Sequence, residues 1–141
     1  METRIIYMES FTVKGFEMKG PISEIPKLWD QLNEELQKYP NVKLADESFG
    51  ITISIEDGFI HYLAGIKKEH CIDIPNMQEI VIPNGKFIVA EVLGGIESIP
   101  YVFSELIKKP GIRIRESYGL ERYIHALGAE ACTLEVLVAI E

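Results

Sequence analysis

The sequence predicts an α+β fold in which two βαββ units form one antiparallel sheet carrying two helices, with a ligand cleft at their pseudo-twofold. Three observations lead there. First, "IPKLWDQL" at 25–32 returns as "IPYVFSEL" at 99–106. Second, the match extends at a constant offset of 74 (94 − 20), pairing Gly20 with Gly94, Glu17 with Glu91, Ile22 with Ile96, Trp29 with Phe103 and Leu32 with Leu106. A fixed offset kept through strand, turn and helix is the mark of an internal duplication. Third, each copy reads in the same order: a β-rich run closed by glycine, an amphipathic helix, then two more strands.

In the first half, about residues 11–66, "FTVKGFEMKG" is a strand that stops at Gly20. The helix that follows carries Pro26 in its first turn, where the missing N–H breaks no ladder bond. Ser23 is its expected N-cap. Ile25, Trp29, Leu32 and Leu36 recur at helical spacing and form its apolar stripe. "FGITISI" alternates apolar with small polar residues, "EDG" turns the chain, and "FIHYLAGI" returns as its hairpin partner.

Residues 67–84 read as a connector, with turns at each "IPN" and a short apolar contact between them. In the second half, about 85–140, "GKFIVAEVLGG" is the strand and Ser98 the expected N-cap. Ile99, Phe103 and Leu106 form the stripe, and "KKPG" ends the helix. "IRIRESYGLERYIHAL" holds a strand with an edge or bend, and "TLEVLVAI" is the last strand. All 141 residues make a single domain. Neither half covers its own sheet, so the halves must dock, and a cleft between two imperfectly matched halves is a natural small-molecule site.

Composition narrows the function. Hydrophobic residues at 47% and charged ones at 26% give a globular chain with a real core. The net charge is −8, and no Lys/Arg cluster of the kind that displaces counterions is present, so direct nucleic-acid binding is not expected. "IKKPGIRIR", the most basic stretch, reads as a helix end followed by a strand. No apolar run approaches the ~20 residues of a membrane span. The N-terminus lacks the basic-then-apolar pattern of a signal peptide, so a cytoplasmic protein is expected. Cys71 and Cys132 are read as free thiols, and His61, His70 and His125 form no metal-binding pattern. No metal or cofactor is expected, and the oligomeric state is not legible.

The whole chain resembles the GyrI-like family, the bacterial transcription-activator effector-binding domain. The resemblance is carried by "GPISEIPKLWDQL", "YLAGI", "IPNGKFIVAEVLGGIESIPYVFSEL", "LERY" and "LEVLVAIE". It implies the duplicated fold and binding of small molecules that are flat, hydrophobic and often cationic. With no room for a DNA-binding domain, the chain resembles the free-standing members. It departs from the family in its last strand, where Leu137 and Ala139 replace an aromatic and a proline, so a pocket ring is expected to be missing.

The resemblance implies a buried acid among rings, and the residues offer two acids. Glu121 alternates with Leu120 and Arg122, so it shares a face with Tyr123; the competing reading pairs it on the surface with Arg115 or Arg122. Glu135 shares a face with Thr133, Leu137 and Ala139, an unusual place for a lone charge unless that face meets water. Glu17 and Glu91, matched by the repeat, read as structural or edge acids. Trp29 and Phe103 hold equivalent helix positions and serve as core rings or pocket walls, while Phe16, Tyr62, Tyr101 and Tyr123 supply further ring and hydroxyl contacts.

The leading function is binding of a hydrophobic or aromatic small molecule. One alternative is a hydrolase of reactive small molecules with Glu121 as catalytic general base. Another is a gyrase-inhibitor-type module with a protein partner; a haem-binding role stands behind all of these.

Overall fold

The computed structural model describes residues 1–39, 47–71, 74–124 and 133–141. In chain order it contains β1 (Thr3–Met8), β2 (Phe11–Pro21), α1 (Ile25–Gln37), β3 (Glu47–Glu56) and β4 (Phe59–Lys67). These are followed by β5 (Gln78–Ile82), β6 (Gly85–Glu91), α2 (Ile99–Ile107), β7 (Gly119–Ile124) and β8 (Thr133–Ile140). All eight strands form one antiparallel sheet in the order β1-β6-β8-β7-β3-β4-β2-β5.

Two strands exceed the sequence reading. The sequence pattern assigns no strand at β1, and β5 lies in the stretch that reads as a connector. Both are short edges whose partners lie far along the chain, so local patterning alone does not reveal them. They exchange places: β1 leads into β2 but pairs with β6, whereas β5 leads into β6 but pairs with β2.

This exchange sets the curvature. Only Glu9 and Ser10 join β1 to β2, which lie six inter-strand steps apart, about 29 Å across a flat sheet. Three peptide steps reach at most ~11 Å. The sheet must therefore curl, and Pro83–Asn84 imposes the same condition between β5 and β6. Asn84 Nδ2 donates to Tyr7 Oη at 2.9 Å where the links meet.

Curling gives the sheet an inner and an outer face. Val13, Phe49, Ile51, Leu63, Phe87, Val89, Leu120, Leu137 and Ala139 fill the inner core. On the outer face α1 packs on β2 and β4, and α2 on β6 and β8. Leu28, Leu32 and Leu36 bury the first stripe, Val102 and Leu106 the second. The two helices flank the central pair β3–β7.

The helices start without the expected serine caps. A single 3₁₀ turn, Ile22–Glu24 or Ile96–Ser98, precedes each one, and the N–H groups of Ile25 and Ile99 bond back to the carbonyls of Ile22 and Ile96. Ser23 lies inside the first turn, and Ser98 at the second N-cap makes no side-chain cap bond. The tight turn does the capping. The strand read over 85–95 ends at Glu91, ahead of Gly95 with its φ of +83°.

Candidate functional site

Alternation along β7 turns Leu120 and Arg122 inward and Glu121 and Tyr123 outward, between the helices. Directly across on β3 stand Ser48, Gly50 and Thr52, so the outer face of that strand carries only small groups. Gly50 pairs with Glu121, and the room above it is already taken: a Cβ there would lie 2.0 Å from Tyr62 Oη and 3.0 Å from Glu121 Oε1. Glycine inside a strand marks such a close approach. It allows Tyr62, one strand further out on β4, to reach over β3 to the acid.

Four predicted site residues meet here. Tyr123 donates to Glu121 Oε1 at 2.7 Å, and Tyr62, fully buried, donates to the same oxygen at 3.2 Å. Trp29 Nε1 on α1 donates to Tyr62 Oη at 3.1 Å, and its ring meets Tyr123 edge-on with centroids 5.0 Å apart. Phe103 on α2 closes the opposite side, its ring against Gly119.

Glu121 is 7% exposed, and no cation pairs with it among the described residues. Burial raises its pKa above the ordinary carboxylate value, and the two phenols oppose the rise without cancelling it. Burial first, then the charges of Glu121 and Tyr123, push the Tyr62 hydroxyl well above its ordinary value. Tyr62 therefore remains a proton donor. Two phenol O–H groups converge on the acid, the Trp29 N–H stands behind Tyr62, and none of the three carries a positive charge.

Glu135 goes elsewhere. It faces inward at 4% exposure, where Arg122 reaches its Oε1 at 2.5 Å and Arg4 its Oε2 at 2.6 Å. Burial would raise this acid, but the two guanidiniums outweigh it and hold the group below the ordinary value. It is an ion-paired strut joining β1, β7 and β8. Arg115, the other partner weighed for Glu121, donates to the carbonyls of Ile140 and Lys86.

Phe16 packs beneath α1 in the same apolar cluster as Tyr62 and Trp29, whereas Tyr101, 65% exposed, stands on the outer surface of α2. Leu137 and Ala139 belong to the inner core, on the face of the sheet opposite Glu121. Glu17 contacts His61, and the pair lies beside a shallow depression of about 380 Å³ lined by Lys19, Ser54, Glu56, Phe59 and His61. Those walls are largely exposed and hold no buried acid. No metal-binding group of three or more His, Cys, Asp or Glu occurs among the described residues. Cys71 is a buried free thiol; Cys132 lies outside the described residues. No helix among the described residues is long and apolar enough to cross a membrane.

Sequence reading missed Gly50 as the floor of the site and the Trp29 N–H as part of it. A glycine interrupting "FGITISI" was the available signal.

The family model for the GyrI-like small molecule binding domain matches residues 1–132. The transcriptional regulator BrlR of Pseudomonas aeruginosa is 25% identical over 130 residues, covering 87% of this chain and 48% of that protein. The chain thus spans about half the length of that relative. Among solved structures, SAV2435 bound to tetraphenylphosphonium aligns over 100% of this chain and 94% of its own, with a TM-score of 0.72 and 19% identity. The EcmrR C-terminal domain aligns over 99% and 97%, with a TM-score of 0.67 and 14% identity. A hydrolase from Listeria innocua aligns over 99% and 92%, with a TM-score of 0.57 and 11% identity. At these identities the structures bear on fold alone. The family assignment rests on the match across residues 1–132: the chain belongs to the GyrI-like family and is a small-molecule binding domain.

Proposed function

We propose that this GyrI-like domain is a receptor for lipophilic organic cations, held between α1 and α2 with Glu121 as their counter-ion. One observation carries the reading: a carboxylate 7% exposed, surrounded by Trp29, Tyr62 and Tyr123, with no cationic partner among the described residues. Burying such a charge costs several kcal/mol unless something compensates it. The hydrogen bonds keep the acid in place, and an incoming cation supplies the missing charge. The ring faces attract the same ligand through their quadrupoles. Trp29 on α1, against Tyr123, and Phe103 on α2, against Gly119, suit a ligand with aromatic groups on two sides.

The test uses Trp29, the sole tryptophan. Tetraphenylphosphonium should quench its fluorescence with an affinity on the order of micromolar, near −8 kcal/mol. Triphenylmethanol, neutral with a similar propeller of rings, should bind far more weakly. Because the acid must be ionised, cation affinity should fall as pH drops through its raised value. Equal affinity for the two probes at all pH values would overturn the reading. Glu121-dependent hydrolysis of an electrophilic ester would replace it with the general-base alternative.

A further inference from the structure

We infer that Trp29 is a positioning residue for the Glu121 carboxylate, acting through Tyr62. The inference deepens the cation-receptor reading, since it concerns how that site keeps its charge. A phenol has one proton to give and lone pairs to receive. Tyr62 is fully buried, Trp29 Nε1–H donates to its oxygen at 3.1 Å, and its own proton goes to Glu121 Oε1 at 3.2 Å. The indole thereby fixes the polarity of the chain: with its oxygen occupied by a donor, Tyr62 directs its proton at the acid. Accepting a hydrogen bond also polarises the O–H and makes it a stronger donor.

The carboxylate is used asymmetrically. Tyr62 and Tyr123 both donate to Oε1. No described group is seen to donate to Oε2. The surroundings leave few other influences on the acid. β4 contributes Tyr62, and β7 itself Tyr123; across the ladders stand Gly50 and Val136, and α2 offers the Phe103 ring. Arg122 faces away, bound to Glu135. Asp30, Glu34 and Glu105 on the helices are exposed.

Only one half of the domain has this device. In the second half Phe103 stands where Trp29 does, and Leu134, bonded to Val92 as Tyr62 is paired with Met18, stands where Tyr62 does; neither side chain donates. The indole also rides on α1 and touches the Tyr123 ring. A displacement of α1 would therefore loosen the donors on the acid, tying the position of the helix to the charge beneath it.

The test reads the ligand-free protein. In protein labelled with 13C at glutamate carboxyls, the Glu121 signal, assigned by its loss in Glu121→Gln, is followed against pH. Trp29→Phe should raise the midpoint by about half a pH unit, because a weakened donor stabilises the anion less. Tyr62→Phe should raise it as well, and adding Trp29→Phe to Tyr62→Phe should change nothing further. An unchanged midpoint in Trp29→Phe, or the same rise in both backgrounds, overturns the inference.

A measurement without any substitution at Trp29 covers the case in which that variant packs poorly. The single indole N–H resonance should shift with the Glu121 midpoint in the wild type, and this response should vanish in Tyr62→Phe. An indole resonance indifferent to Glu121 overturns the inference too. Neither readout needs a ligand. If tetraphenylphosphonium fails to bind while the coupling is present, the relay stands and the receptor reading falls.

Discussion

Replacing Glu121 by Gln should separate affinity from stability in opposite directions. The side chain keeps its shape, and its amide oxygen can still accept from Tyr62 and Tyr123, while its NH2 takes the place of Oε2. A cation about 4 Å from a carboxylate gains about 4 kcal/mol at an effective dielectric near 20. Losing one partner of a desolvated pair typically costs ~2–5 kcal/mol. Tetraphenylphosphonium should therefore bind more weakly by about 2–4 kcal/mol, roughly 30- to 1000-fold. Triphenylmethanol should change by less than about threefold, because it presents no charge to the acid.

Stability should not fall with affinity. The folded protein holds the Glu121 proton more tightly than the unfolded chain. Wild-type stability therefore declines as pH rises from the ordinary carboxylate value through the raised one. The glutamine variant has no such decline, so at neutral pH its thermal midpoint should equal or exceed that of the wild type. Calorimetric titration with both probes, paired with thermal unfolding at pH 4 and pH 7, reads all of these quantities. A parallel loss for cation and neutral probe, or a variant markedly less stable at pH 7, would refute the reasoning.

Other substitutions test the surroundings. Gly50→Ala should push Tyr62 off Glu121, since the new Cβ would stand 2.0 Å from the phenol oxygen; cation binding should drop at least tenfold, with the raised carboxylate midpoint moving further up by NMR titration. Glu135→Gln leaves Arg4 and Arg122 without their counter-charge and should cost about 3–5 kcal/mol in denaturant unfolding. Because Glu135 is held below its ordinary value, its contribution is present above that value and lost as pH falls through the folded one; the variant should lose that part of the acid sensitivity. Leu32→Ala, in the core under α1 at 1% exposure, should cost about 2–5 kcal/mol, whereas Tyr101→Ala on the open face of α2 should leave both stability and cation binding within about 0.5 kcal/mol.

The repeat made much of the architecture legible, because helical stripes and alternating strands are local patterns. Trp29 and Phe103 were placed on equivalent helices by spacing alone, and the alternation of "LERY" put Glu121 and Tyr123 on one face. The face of Glu135 was also legible, but not its neutralisation: Arg4 comes from β1, an edge strand at the far end of the chain. The exchange of β1 and β5 was hidden for the same reason, since pairing between distant segments leaves no local trace. Symmetry itself concealed the chemistry. The repeat draws attention to what the halves have in common, whereas the hydrogen-bonded acid depends on Trp29 and Tyr62, where the copies differ.

The traded edge strands have a consequence for how such a chain can fold. Thr3 must find Ala90, and Phe11 must find Ile82, before either end of the sheet is complete. Such long-range pairings place the domain among slow folders, because loop closure precedes the contacts that reward it. Cut between β4 and β5, neither fragment could pair its own leading strand in the native way. A lone half could finish its sheet only by trading that strand with a second copy, as an intertwined dimer. In the intact chain, residues 68–77 fuse the two halves, and their local concentration replaces the bulk concentration that dimer would require.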